Sequence, residues 1–173
     1  VIRRRACRAT LAAAFLVSVA CSTRSCSVTD RWLARSCTVG EDRALEVELK
    51  GAGAGAERKL IDAFVNGPGA RADEVEAEAG REYDEIIAAL NAGRTYGLPA
   101  SEIAKLRAES KQVHMRQARD EYDETYRSDA LSGLAVVASP GSVTFLQSIA
   151  ANPNSTYREA ARSVLQKAGL PLR

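Results

Sequence analysis

From Arg71 onward apolar residues return with a helical period: Val75, Ala79, Tyr83, Ile86 and Leu90 follow one another at steps of four, four, three and four. Glu74, Glu76, Glu78, Glu82, Asp84 and Glu85 occupy the positions between, which predicts an amphipathic helix with an acidic, solvated face that stops at Gly93. The breaker Asn66-Gly-Pro-Gly69 separates it from an upstream helix, Ala56 to Asn66, with Leu60, Ile61, Phe64 and Val65 as its apolar face. Arg94 to Ala100 reads as a loop and Ser101 to Glu109 as a short helix. A longer helix is predicted from Lys111 to Ala138, with Met115, Ala118, Tyr122, Tyr126, Ala130, Leu134 and Val137 along one stripe, and Ser139-Pro-Gly-Ser142 ends it. Two short helices follow, Val143 to Ala151 and Thr156 to Ala168, broken by Asn152-Pro-Asn154 and stopped by Gly169 and Pro171. Thr156 with Glu159 predicts a capping box, and near the other end Asp30 is expected to cap a helix from Arg31 to Ser36 carrying Trp32 and Leu33. The predicted class is all-α: antiparallel helix hairpins ending in a short helix pair.

Composition supports that class. Of 173 residues 46% are hydrophobic, many of them alanine, and only 5% are aromatic, whereas a β-sandwich draws on β-branched and aromatic side chains. The net charge of +2 misleads, because Arg3, Arg4, Arg5 and Arg8 all precede the apolar run Leu11 to Ala20. From Cys21 on, twenty basic residues face twenty-two acidic ones, a net of −2. Gripping phosphates needs clustered Lys and Arg, and none remain, so no nucleic-acid partner is expected.

The first twenty residues have a cationic start, a ten-residue apolar stretch and small residues Ser18 and Ala20 directly before Cys21, the order of an export signal. Ten helical residues reach about 15 Å, half of the roughly 30 Å of bilayer hydrocarbon, too short for a comfortable span. The segment resembles the lipobox signal of bacterial lipoproteins, although Ser18 stands where that family usually has Leu. The resemblance implies removal of residues 1–20, lipidation of Cys21 and export to a bacterial membrane, with the domain facing the periplasm or cell exterior. Acyl chains embed at about 0.8 kcal/mol per buried CH2, enough for a multiply acylated Cys to hold a domain on a membrane. Cleavage after Ala20 without lipidation, and an uncut buried helix, remain the alternatives. Cys7 leaves with the signal, so Cys26 and Cys37 are free to form a disulfide in an oxidising envelope, closing a loop worth ~3 kcal/mol within the tether 21–40. No Cys-x-x-Cys or His lies nearby, and no metal site is expected there.

Within the helical domain 41–173, residues 143–169 carry a second likeness. Pro140, Val143, Leu146, Ile149 and Ala150, then Asn152-Pro-Asn154, then Arg158-Glu-Ala-Ala161, Leu165 and Gly169 resemble a HEAT-like helix pair, in which an apolar residue and Arg open the second helix and paired alanines allow close approach. Tyr157 takes the apolar position. Glu82-Tyr-Asp-Glu85 and Glu121-Tyr-Asp-Glu124 recur 39 residues apart but diverge at once, so a single pair is expected. The resemblance implies a protein-binding surface with Tyr157, Arg158 and Arg162 as candidate contacts, and thus a non-catalytic scaffold or adaptor for another envelope protein.

Candidate chemistry is sparse. Gly51-Ala-Gly-Ala-Gly-Ala56 follows Ala44 to Lys50, in which Leu45, Val47 and Leu49 alternate like a strand, and together they mimic a dinucleotide-binding turn. That fold needs several parallel strands, and no second one is visible, so a flexible turn between short elements is the reading and no cofactor is expected. Leu45 and Leu49 serve equally as one helical face. The acidic helices lack the Glu-x-x-His pairs of di-metal bundles and the spacing of calcium loops, which leaves them as solvated surface. An alternative function is a small-ligand binder or enzyme with a pocket between the long helices near Tyr83, Tyr122 and His114.

Overall fold

The computed structural model describes residues 27–34, 42–95 and 97–172. Among these the chain is all-helical and forms no strand: α1 Val28–Leu33, α2 Asp42–Asn66, α3 Ala70–Asn91, α4 Ala100–Ala108, α5 Lys111–Val137, α6 Pro140–Ala151 and α7 Arg158–Lys167. The segment 1–20 read as an export signal, Cys21, Cys26 and Cys37 lie outside the described residues.

The segment that alternates like a strand is the first half of α2. Its period is helical: Leu49 is 0% exposed, Leu45 packs against the same core, and Val47, two positions from each, is 73% exposed. The Gly-Ala run does divide two stretches, both of them helical, but by a one-residue kink and not by a longer turn. Helix continues through it except at Gly53, whose φ of 53° and ψ of −131° kink α2 in a conformation that suits glycine.

Helix ends differ from expectation at three places. Ser27, not Asp30, caps α1; Asp30 sits one turn in and closes the capping box from the other side, its carboxylate accepting from Ser27 N at 3.0 Å. α6 begins at Pro140 rather than Val143, with Ser139 accepting from Ser142 N at 3.0 Å and proline in the first turn, where its missing N–H costs nothing. Thr156 and Glu159 form no capping box. An Asn152 side-chain turn and a Ser155–Arg158 backbone turn hold the chain non-helical through Thr156, so α7 starts after Tyr157, and Ser155 Oγ accepts from Tyr157 N at 3.3 Å.

The long α5 is the axis of the fold and packs against α1, α2, α3, α6 and α7. Its C-terminal half buries Ala130, Leu131, Leu134, Ala135 and Val137 against Leu49 and Leu60 of α2, Leu146 of α6 and Leu165 of α7. Its N-terminal half lies on α3, where small residues bring the helices close: Gly80 leaves room for Met115, whose Sδ would stand 2.9 Å from any Cβ there. Small α1, lying inside the span read as a tether, docks onto α2 and α5 through Trp32, which is 1% exposed. The indole N–H donates to the carbonyl of Asp129 at 2.8 Å, and the ring sits where Gly133 has no side chain. A Cβ at 133 would lie 2.7 Å from Trp32 Nε1 and 2.9 Å from Leu60 Cδ2.

Two glycine substitutions should therefore move stability in opposite directions. Gly133→Ala should lose about 1–3 kcal/mol through overpacking against buried groups, while Gly55→Ala, with nothing within 4 Å, should gain up to about 1 kcal/mol from helix propensity. Urea unfolding monitored by helical circular dichroism measures both.

Candidate functional site

The α6–α7 pair was the expected contact surface, and the structure shows how its candidates are employed. Tyr157 stands at the start of α7, half-buried, with its ring edge-on to Phe64 of α2 at 5.2 Å; Phe64 in turn meets Phe145 of α6 edge-on at 5.7 Å. This trio joins three helices. Loss of solvent raises the Tyr157 phenol above its ordinary pKa, Asp123 adds to the rise and the Arg127 charge opposes it. Arg162 turns back across the pair: its Nε donates to the carbonyl of Ala150 at 3.3 Å, at the last turn of α6, and Nη1 lies 3.5 Å from Glu159. Arg158 is half-buried, and its Nε is enclosed without a hydrogen-bond partner. A shallow groove of about 420 Å³ runs along the outer side of α7, lined by Glu159, Ala160, Arg162, Ser163 and Gln166. Of the three candidates, only Arg162 lines it.

Arg127 and Glu57 matter more to this end of the molecule than the sequence suggests. Arg127 on α5 donates through Nη1 to the carbonyls of Phe64 and Val65, the latter at 3.1 Å, and through Nε to Asp123 at 2.8 Å. The guanidinium thus takes up free carbonyls at the end of α2, where Gly67, with φ of 71°, turns the chain close beneath it. Glu57 on α2 does the converse at the N-terminus of α6: its carboxylate accepts from the Ser139 hydroxyl and lies 3.3 Å from that of Ser142, which is fully buried. Gly141 gives it room; a Cβ there would stand 2.9 Å from the Glu57 carboxyl carbon. Ser139-Pro-Gly-Ser142, read from the sequence as the end of the preceding helix, is also the cap of α6, and nothing in the sequence points to its partner 82 residues away.

The aromatic and histidine candidates on the long helices are only partly united. Tyr83 and His114 stack at a tilt, 5.5 Å apart, and Tyr83 donates its hydroxyl proton to the carbonyl of Glu109 at 2.6 Å. Tyr122 lies eight residues beyond His114 on α5, about 12 Å along the axis at 1.5 Å per residue, and its ring neighbour is Tyr126 at 6.1 Å. Burial pushes the Tyr126 phenol up, with smaller contributions from Tyr122, Asp30 and Asp62. None of Tyr83, Tyr122 and His114 lines the α7 groove. The acidic face of α3 is tied to α5 by Arg119, which reaches Glu76 at 2.7 Å and Asp73 at 2.9 Å; these carboxylates, the Glu76 hydrogen bond foremost, raise the guanidinium pKa.

Among the described residues no group of three or more His, Cys, Asp or Glu is placed to hold a metal ion, and no helix is long and apolar enough to cross a membrane. No protein-family model matches the chain, and neither a curated protein nor a solved structure matches it.

The two half-buried phenols of Tyr126 and Tyr157 set an alkaline limit. Their folded-state values lie above the ordinary 10.0, so the unfolded chain gives up these protons first, and stability is fully present below about pH 10 and falls as pH rises through the folded-state values. The urea midpoint should drop between about pH 9 and about pH 11, and Tyr126→Phe with Tyr157→Phe should flatten that drop.

Proposed function

We propose that the chain is an exported bacterial lipoprotein, held on a membrane by lipid on Cys21, whose helical body acts as a non-catalytic scaffold or adaptor for another envelope protein. The carrying observation is the order of the first twenty-one residues: four arginines within eight positions, the apolar run Leu11 to Ala20, small residues before the cleavage point, and a cysteine directly after it. Anchoring by acyl chains needs no spanning helix. The adaptor role is supported by the HEAT-like pattern over residues 143–169, since helix pairs of that kind present side chains from α7 to partners. Fold likeness alone does not carry function; here the address supplies the context, because a domain tethered at a membrane works on what is beside it.

Arg158 is the sharper probe of this surface, as Arg162 also serves the end of α6. Cys26 and Cys37 fit the same address as a disulfide across the segment that contains α1, formed on export.

Mass spectrometry of the mature N-terminus tests the address. Diacylglycerol on Cys21 is expected, with Cys21→Ala and globomycin each leaving an unprocessed precursor; a soluble product that keeps residues 1–20 would overturn the assignment. Chemical crosslinking in envelopes tests the role: Arg158→Glu should cut the yield of the partner adduct by roughly tenfold, as expected when a buried interfacial cation is reversed, and an unchanged yield would remove α7 from the interface.

A further inference from the structure

We propose that Met115 is a reversible oxidation site, at which a peroxide converts the thioether to a sulfoxide and so loosens α3 from α5. Met115 is the one methionine of the sequence. α3 and the first half of α5 run antiparallel in a register of one contact per turn: Lys111 pairs with Asp84, the Met115 thioether rests on Gly80, and Arg119 pairs with Glu76 at 2.7 Å and Asp73 at 2.9 Å. The sulfur is thus the apolar centre of the seam, with an ion pair one turn away on either side. Its fit is close. A Cβ at position 80 would stand 2.9 Å from Met115 Sδ, 3.4 Å from its Cε and 3.2 Å from Lys111 Cε. Glycine inside a helix is unfavourable, and here it is what admits the thioether.

Little else that is apolar holds this seam. Leu90 is the one fully buried residue of α3 larger than alanine. On α5 no residue from 111 to 125 is fully buried: Val113 is exposed, and Met115, Ala118 and Tyr122 are half-buried. On the flank the Tyr83 ring meets His114, whose Nδ1 stands 3.7 Å from the Glu109 carboxylate. Half-burial leaves the Met115 side chain within reach of a small peroxide. The thioether sulfur gives an electron pair to one peroxide oxygen, the O–O bond breaks, an S–O bond forms and hydrogen peroxide leaves as water, so sulfur is oxidised by two electrons and peroxide reduced by two. The product carries a polar oxygen into a seam closed by the Gly80 backbone, where the neighbouring donors Lys111 and Arg119 are already paired. The oxidised side chain leaves the notch, because a sulfoxide is polar where a thioether is not. Methionine sulfoxide reductases return the thioether with two electrons from a dithiol, which makes the step reversible. It needs neither a lipid anchor nor a partner.

Hydrogen peroxide treatment of the folded full-length chain, followed by peptide mapping and hydrogen exchange, tests this. Met115 should gain one oxygen, and the amides from Ala79 to Leu90 should then exchange roughly three- to tenfold faster, with those of α6 and the second half of α5 unchanged. The two methionine sulfoxide reductases, one for each epimer, should together restore the original rates. Met115→Leu keeps the volume without the sulfur and should show no response of α3 to peroxide, which separates the effect from oxidation of the cysteines. Absence of sulfoxide at Met115 in the folded chain, unchanged exchange of α3 once the sulfoxide has formed, or an α3 response that persists in Met115→Leu would overturn the proposal.

Discussion

The fold depends on a single close approach: the Trp32 indole fills the notch that Gly133 leaves on α5, with Leu60 of α2 closing the third side. A six-residue helix has no standing of its own, since nucleation is costly and isolated helices below about 12 residues are marginal in water. α1 exists because its capping box satisfies the first turn and because burying the indole contributes several kcal/mol, of the order lost when a core tryptophan is truncated (about 3–5 kcal/mol). Against a net stability of about 5–15 kcal/mol for a domain, that contact is large. It also requires that position 133 carry no side chain and that the indole N–H find an acceptor, which the Asp129 carbonyl provides.

Around this core the helix ends are finished by side chains from other helices rather than by their own sequences alone. Arg127 serves the carbonyl end of α2, Glu57 the amide end of α6, Arg162 the carbonyl end of α6 and Arg107 the carbonyl end of α3. Each places charge where the helix dipole favours it, cations at C-termini and a carboxylate at an N-terminus. These contacts also fix relative positions, because a cap that reaches across from a neighbour holds only when both helices are correctly set. Arg127, Glu57 and Arg162 at the α2–α6–α7 end therefore have structural work.

Stability is unevenly distributed along the molecule. The end that unites α1, α2, α6 and α7 on the second half of α5 contains the fully buried leucines and the aromatic trio. The other end joins α3 to the first half of α5 through small residues and ion pairs on Arg119, and α4, with no fully buried residue, packs on α3.

The extents of α3 and α5, and the all-helical class, were readable from periodicity because a helical face repeats within a few residues and needs no knowledge of the rest of the chain. The same local reading could not choose between strand and helix for Leu45, Val47 and Leu49, since three alternating apolar residues fit either until burial separates Leu49 from Val47. It also misplaced the caps of α1, α6 and α7, where turns of a few residues compete at similar energy. Tyr83 and His114 were legible as candidates, but their meeting at Glu109 was not, and neither were Arg127 or Glu57. Tyr83 reaches Glu109 across 26 positions, Arg127 and Glu57 reach α2 and α6 across 62 to 85, and Trp32 reaches Asp129 across 97. Local pattern marks most of the inward-facing residues on each element, though not Val65, read on an apolar face yet 58% exposed; which inward faces meet is decided only when close packing selects one arrangement of the helices, because that choice depends on the shape of every neighbour at once.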